Sequence, residues 1–230
     1  MRKNDLYFIV IISAFFSPFF LSDDVLRIYL EATKQHALLM SFVKFAVLAT
    51  LGEIIGLRIS QGCYLKEGFG ILPRALFWGF TGVLIKIAIT IFATGAPFFV
   101  DHYLVNLTAE NASNKVIYAF AISVSMNLMF APVFMVLHKI SDIHIMQTGG
   151  TLRGYFSKVN IGEILSEIDW SVMWGFVFIK TLPFFWIPAH TITFLLPKHH
   201  QVLFAAILGI VLGVILAIAG MAKTQKQVAA

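Results

Sequence analysis

Val116-Ile-Tyr-Ala-Phe-Ala-Ile-Ser-Val-Ser-Met-Asn-Leu-Met-Phe-Ala-Pro-Val-Phe-Met-Val-Leu137 carries no charged side chain from end to end, and neither does Val202-Leu-Phe-Ala-Ala-Ile-Leu-Gly-Ile-Val-Leu-Gly-Val-Ile-Leu-Ala-Ile-Ala-Gly-Met-Ala222. An α-helix rises about 1.5 Å per residue, so roughly 20 apolar residues reach across the ~30 Å hydrocarbon layer of a bilayer. Coiling also satisfies the peptide N–H and C=O groups inside the segment, which lipid cannot do. Both stretches therefore read as membrane-spanning helices.

Working outward, Leu6–Leu21, Ala37–Leu57, Ala75–Val100 and Ser171–Leu196 are long and apolar enough to join them. The expectation is an all-α, polytopic transmembrane helix bundle of six spans, forming a single integral membrane domain over residues 1–230. Composition agrees: 59% hydrophobic residues, 13% charged and a mean hydropathy of +0.85 lie far from the roughly 45–50% apolar and 25% charged usage of soluble domains. The first segment begins like a signal peptide, yet Phe20 stands where a cleavage site needs a small residue, so it reads as a retained span. Its length and Pro18 make it the shortest crossing of the six.

A net charge of +5 would suggest nucleic acid in a soluble protein; here the basic residues sit between apolar runs and read as topology signals. Arg2, Lys3, Arg58, Lys66, Arg74, Lys139, Arg153, Lys158, Lys223 and Lys226 fall in one set of alternate connections, against Arg27, Lys34, Lys115 and Lys198 in the other. Ten against four places both termini in the cytoplasm, with a bacterial inner membrane as the expected location and an organelle membrane as the alternative. The lone Cys63 excludes an intramolecular disulfide and makes a Cys-based metal site unexpected.

Among the connections, Lys139–Trp170 contains the Gly149–Gly150 turn and then a segment near 160–169 in which Ile161, Ile164, Leu165 and Ile168 recur at helical spacing behind Asn160. A short interfacial helix is predicted there, with Glu163 and Glu167 facing away. Asn106-Leu-Thr and Asn111-Ala-Ser match the N-glycosylation pattern, but short polar loops match it by chance and it carries no weight here.

Inside lipid, helices associate through close backbone approach and interhelical hydrogen bonds. Ala205, Gly209, Gly213 and Ala217 form one small-residue stripe; Ala49, Gly52 and Gly56 form a second. Ala119, Ser123, Asn127 and Ala131 form a third, and Gly79, Gly82, Lys86, Thr90 and Thr94 a fourth. These are expected packing seams; facing one another, they would line a polar path. The Gly209–Gly213 pair would also suit a homo-oligomer.

Charge at membrane depth costs about 2.5–3.5 kcal/mol or more, so each such residue needs a partner, water or a route to the surface. Lys86 lies some 18 Å along its span at helical rise, whereas Lys44 and Lys180 are nearer the surfaces and can extend toward headgroups. Glu53 is the lone acid in the last five predicted spans and the expected partner of Lys86 or Lys180, with Asn127 as a neutral acceptor. Three lysines against one glutamate predict an interior favouring anions and small neutral solutes.

The fifth predicted span carries Pro183, Pro188 and Pro197, which should kink or break it, with His190 bonding a freed carbonyl. Trp186 to Pro188, His190, Thr193-Phe194 and Pro197, with Met129-Phe-Ala-Pro-Val-Phe134 upstream, resemble the closing signature and the Ala-Pro-x-Phe element of the Mpv-seventeen and peroxisomal membrane protein family of small multispan proteins. Ile187 interrupts the family's Trp-Pro, His190 and Thr193 replace its Gln and Asn, and Gln201 replaces an Arg. The resemblance covers about the last half of the chain and points to a divergent, bacterial-type branch. It implies weakly selective channel behaviour or membrane homeostasis.

The functional expectation is a channel-like or solute-permeation protein working in the lipid bilayer on a small solute or anion. Its pathway candidates are Lys86, Glu53, Asn127, Lys180, His190, Thr90 and Ser123. The competing expectation is a non-transporting, membrane-organising protein with internally satisfied charges. No Ser-His-Asp order, Gly-rich phosphate loop or acidic metal cluster emerges, so neither an enzyme nor a cofactor or metal is expected.

Overall fold

The computed structural model describes residues 3–105 and 112–228, so Arg2, Asn106 and Asn111 lie outside the described residues. Those described are almost wholly helical, with no strand among them. The chain divides into two compact units at Met40/Ser41 where the sequence suggests one domain. The reason is visible in the first unit: α1 (Lys3–Phe16) and α2 (Pro18–Leu21) bury no residue, and α3 (Asp23–Gln35) buries Thr33 alone.

Within that first unit the predicted span Leu6–Leu21 is interrupted at Ser17, where Pro18 begins a new turn. Ser22 then caps α3, its Oγ accepting from the Val25 N–H at 3.4 Å, and satisfies one of the unpaired donors of the first turn. In α3, Val25, Tyr29, Ala32 and Thr33 share the more covered side while Asp23, Asp24, Glu31 and Lys34 are exposed. This amphipathic helix lies where the sequence reading left a plain connection. Its signal was a cap followed by apolar residues at helical spacing.

α4 (Ala37–Gln61), whose first turn precedes the boundary, and the stretches Ile71–Leu104, Trp170–Leu195 and Lys198–Ile215 of the second unit are each long and apolar enough to cross a membrane, as an integral membrane protein requires. A bent pair, α6 (Ala112–Met129) and α7 (Ala131–Gln147), makes up to five, the second arm turning 46° away from the line of the first. Pro132 sits in the first turn of α7. Lacking an N–H, it removes the bond to the Leu128 carbonyl and its ring crowds that turn. The Val116–Leu137 stretch, expected as one span, bends at this proline.

The proline-rich stretch is accommodated differently. After the single turn α10 (Trp170–Val172), Met173–Trp186 winds as a π-helix enclosing Pro183, and α11 (Ile187–Leu195) continues with Pro188 in its first turn. The wider helix pairs residues five apart, as the Ile187 N–H to Leu182 carbonyl bond shows, so Pro183 sits in a ladder already shifted from α-helical register. Pro197 separates α11 from α12 (Lys198–Val228).

Two details align α4, α5 (Ile71–Phe99) and α7. Gly70, at φ +66°, leads into α5 against Gly150 at φ +67°. A Cβ on Gly70 would stand 2.7 Å from the Gly150 Cα, so only paired glycines let these two turns touch. Farther along, Gly82 lies against Ser41 and Phe45 of α4 with no room for a methyl group. Phe45, Ala49, Ile85, Ile89, Met126 and Ala206 then close the core between α4, α5, α6 and α12.

The connection after α7 holds α8 (Leu152–Tyr155) and α9 (Ile161–Glu167). The helix expected near 160–169 is present, with Ile164 and Ile168 buried and Glu163 and Glu167 exposed. Gln147 Nε2 donates to Glu167 Oε1 at 2.7 Å and ties it to α7. Outside, Phe80, Leu84, Ile87, Ile91 and Phe98 of α5 form an exposed apolar stripe. Such a surface is stable against lipid and costly against water.

Candidate functional site

Arg74 lies four residues into α5, where the Gly70 turn delivers it between α4 and α7. It is buried, its Nε donates to the Phe69 carbonyl at 2.7 Å, and Nη1 donates both to Glu53 Oε2 of α4 and to Asp142 Oδ1 of α7. One turn further on, Trp78 Nε1 donates to Glu53 Oε1 at 2.8 Å, and His138, one turn before Asp142, places Nε2 at 3.3 Å from the same oxygen. The i, i+4 spacings Arg74/Trp78 and His138/Asp142 put each pair on one helix face. The guanidinium fork serves two carboxylates and a carbonyl at once, a geometry no ammonium reproduces.

This arrangement corrects the expected partnership of Glu53, which is with Arg74, Trp78 and His138 rather than with Lys86 or Lys180. Sequence reading placed Arg74 in a loop and Asp142 in the Lys139–Trp170 connection; the ion pairs they make with one another and with Glu53 place both on helices instead. Glu53, His138 and Asp142 also present ligand atoms within 4.8 Å of one another. Arg74 already binds both carboxylates, so the protein's own cation stands between them.

Beside this cluster opens a cavity of about 320 Å³, at the small end of the range for ligand pockets. Its wall is mostly apolar and aromatic, with Phe45, Met126, Phe130 and Phe176 among its residues. The small-residue stripes of α4 and α12 reach it through Gly52, Gly56, Gly209 and Gly213. A Cβ on Gly52 would crowd the Ile210 Cα at 3.1 Å, so this glycine is a packing contact; Gly56 and Gly209 have no described atom within 4 Å of an added Cβ. Those two glycines leave open space where a seam was expected. Gly213 faces Gly52 of the same chain.

A second polar group on the wall is built by α6 and the π/α11 element. Ser123 Oγ donates to the Ile187 carbonyl at 2.7 Å, and Asn127 Nδ2 donates to the Ser123 carbonyl at 2.8 Å and to His190 Nδ1 at 3.1 Å. Because Nδ1 accepts, the proton of neutral His190 resides on Nε2. His190 thus bonds Asn127 rather than a carbonyl freed by proline. Trp186 packs its ring 5.0 Å from the imidazole. Asn127 Oδ1 and Trp186 Nε1 are both buried without a hydrogen-bond partner among the described residues, a condition that costs about 1–3 kcal/mol for each group.

Of the expected pathway residues, Glu53, Asn127 and His190 line the cavity, together with Trp186. Ser123 is buried behind Asn127. Lys86 is half-buried and absent from the wall, Thr90 is exposed and donates to the Lys86 carbonyl at 2.9 Å, and Lys180 is exposed. Lys44, expected to reach toward headgroups, is instead the buried lysine of the three. Thr181 was missed by sequence reading and joins the wall; the π winding that presents it left no mark in a periodicity of 3.6. No protein-family model, curated protein or solved structure matches this chain.

Proposed function

We propose that this chain is a six-span integral membrane protein, both termini cytoplasmic, that admits a small uncharged solute into its helix-bundle interior and acts as a channel-like permeation protein. The observation that carries the reading is the cavity of about 320 Å³ inside the helix bundle, with Glu53, Asn127, Thr181 and His190 among its lining residues. Glu53 is the sole formally charged side chain among the described lining residues, and it is engaged by Arg74 and Trp78. Such a wall suits neutral solutes better than anions. Membership of the Mpv-seventeen family, a bacterial inner-membrane location and a pliant, proline-broken fifth span belong to the same proposal, supported by the residues quoted for the resemblance and by the basic-loop asymmetry.

A second reading, a non-transporting organiser of the membrane, is favoured by the Arg74 cluster, in which one guanidinium ties Glu53 of α4 and Asp142 of α7 to α5. Reconstitution into sealed phosphatidylcholine vesicles separates the two. The protein should raise glycerol efflux above that of empty vesicles. Gly209→Phe, placing a ring in the cavity, should return efflux to the empty-vesicle rate, while Lys86→Ala should leave it unchanged. Efflux no faster than from empty vesicles would leave the organiser reading standing; efflux indifferent to Gly209→Phe would remove the cavity from the path.

A further inference from the structure

We propose that Glu53 and His138 form a proton-binding site on the cavity wall, and that a proton held at His138 promotes entry of the neutral solute. The proposal deepens the solute-admitting reading and rests on it for the coupling of proton to solute.

Charge accounting carries it. Arg74 sets one positive charge between two carboxylates, so the three groups together keep one negative charge in excess. The charged groups acting on the imidazole are Glu53 of α4, Arg74 of α5 and Asp142, one turn along its own helix. To the described wall of the cavity, α6, α12 and the Met173–Trp186 segment bring no titratable side chain, and α11 brings His190, whose Nδ1 is taken up by Asn127. Among the described residues, His138 is therefore the group placed to supply the missing charge. Its Nε2 lies 3.3 Å from Glu53 Oε1 and so bears the hydrogen of the neutral ring. Nδ1 makes no hydrogen bond among the described residues, leaving its lone pair for a second proton.

The pair is within reach of the cavity. Both residues line it, and the side chains of His138 and Glu53 keep 27% and 18% of their surface exposed. Phe77 and Trp78 pack beside the imidazole, their ring centroids 5.8 and 4.7 Å from its own, an environment that accommodates a cation. A proton on Nδ1 brings the four groups to zero net charge. Without it, an uncharged solute has to strip water from an unbalanced carboxylate on an otherwise apolar wall, which costs more than desolvating a balanced set. Solute and proton therefore favour one another's binding, each by the same factor. The proton arrives from water onto the Nδ1 lone pair and leaves by the same route, with no other bond broken.

Two measurements on the full-length protein separate the proton site from the coupling. With Trp170→Phe, Trp174→Phe and Trp186→Phe in place, Trp78 is the sole indole of the chain, and its emission in detergent reports the charge of the imidazole beside it. Emission should fall in a single one-proton step as pH is lowered between about pH 9 and 5, and adding His138→Gln should abolish the step. No step, or a step that survives His138→Gln, would overturn the proton site. In phosphatidylcholine vesicles, glycerol efflux in excess of the empty-vesicle rate should be at least about fivefold faster below that step than above it. His138→Gln keeps the excess negative charge and should hold efflux at the slow rate throughout, whereas Glu53→Gln removes it and should hold efflux at the fast rate. A Trp78 step with efflux indifferent to pH would keep the proton site and overturn the coupling. A Trp78 step with efflux at the empty-vesicle rate at every pH would leave the proton site standing while the permeation reading fails, and the coupling with it.

Discussion

At the scale of single residues, Arg74 organises more of the second unit than any other side chain. Its own side chain is 7% exposed, and those of Glu53 and Asp142 are 18% and 25%, so water screens the cluster only weakly. Removing one member of a buried pair leaves its partner charged and unmet, at a cost of about 3–5 kcal/mol. Arg74→Ala should therefore lower the thermal unfolding midpoint in detergent sharply, because two carboxylates would then face one another. Arg74→Lys should fall between the two, keeping the charge while losing the fork that reaches Glu53, Asp142 and the Phe69 carbonyl together. Circular dichroism during heating reads this directly, and an Arg74→Ala midpoint equal to that of the unmodified protein would show that the cluster contributes nothing.

At the scale of elements, the bend between α6 and α7 aligns the two polar clusters with one cavity, since Asn127 precedes it and His138 follows it. Pro132→Ala restores the missing N–H and should straighten the pair. Spin labels at the exposed positions Val116 and Met146 would then move apart by about 4 Å, from the 46° geometry toward a straight helix rising 1.5 Å per residue; an unchanged distance would place the cause of the bend in packing rather than in Pro132. The long apolar helices and the α9 segment were legible because hydropathy and a 3.6 period are properties of consecutive residues. The bend was visible only as Ala131-Pro132 inside an uncharged run, which length and hydropathy read simply as one span. The Arg74 cluster was not legible at all: Glu53, Arg74 and Asp142 come from three helices, and no local pattern records which charges will meet. Asn127 and His190 were each singled out for being polar at membrane depth, yet their pairing, and the unmet atoms beside it, arise from packing between α6 and α11.

At the scale of the whole molecule, the number of crossings turns on the first segment. Lys3 to Leu21 spans roughly 28 Å if treated as continuous helix at 1.5 Å per residue, just short of the ~30 Å hydrocarbon layer, and the interruption at Ser17 shortens it further. Its surface nonetheless favours lipid, with Leu6, Ile9, Val10, Ile11 and Phe15 all exposed. Charge decides the expectation. If the segment lies flat, Arg2, Lys3, Arg27 and Lys34 share one side with the outward loops, and the basic asymmetry that orients a membrane protein largely disappears; if it crosses, modest thinning of the bilayer covers the shortfall at a fraction of a kcal/mol per Å. In a Cys63→Ser background, Lys3→Cys and Lys223→Cys should both react with a membrane-impermeant maleimide from the cytoplasmic face alone, and His36→Cys from the opposite face alone. Labelling of Lys3→Cys and His36→Cys from the same face would reduce the crossings to five and send the termini to opposite sides, because the chain would then enter α4 without having crossed before it.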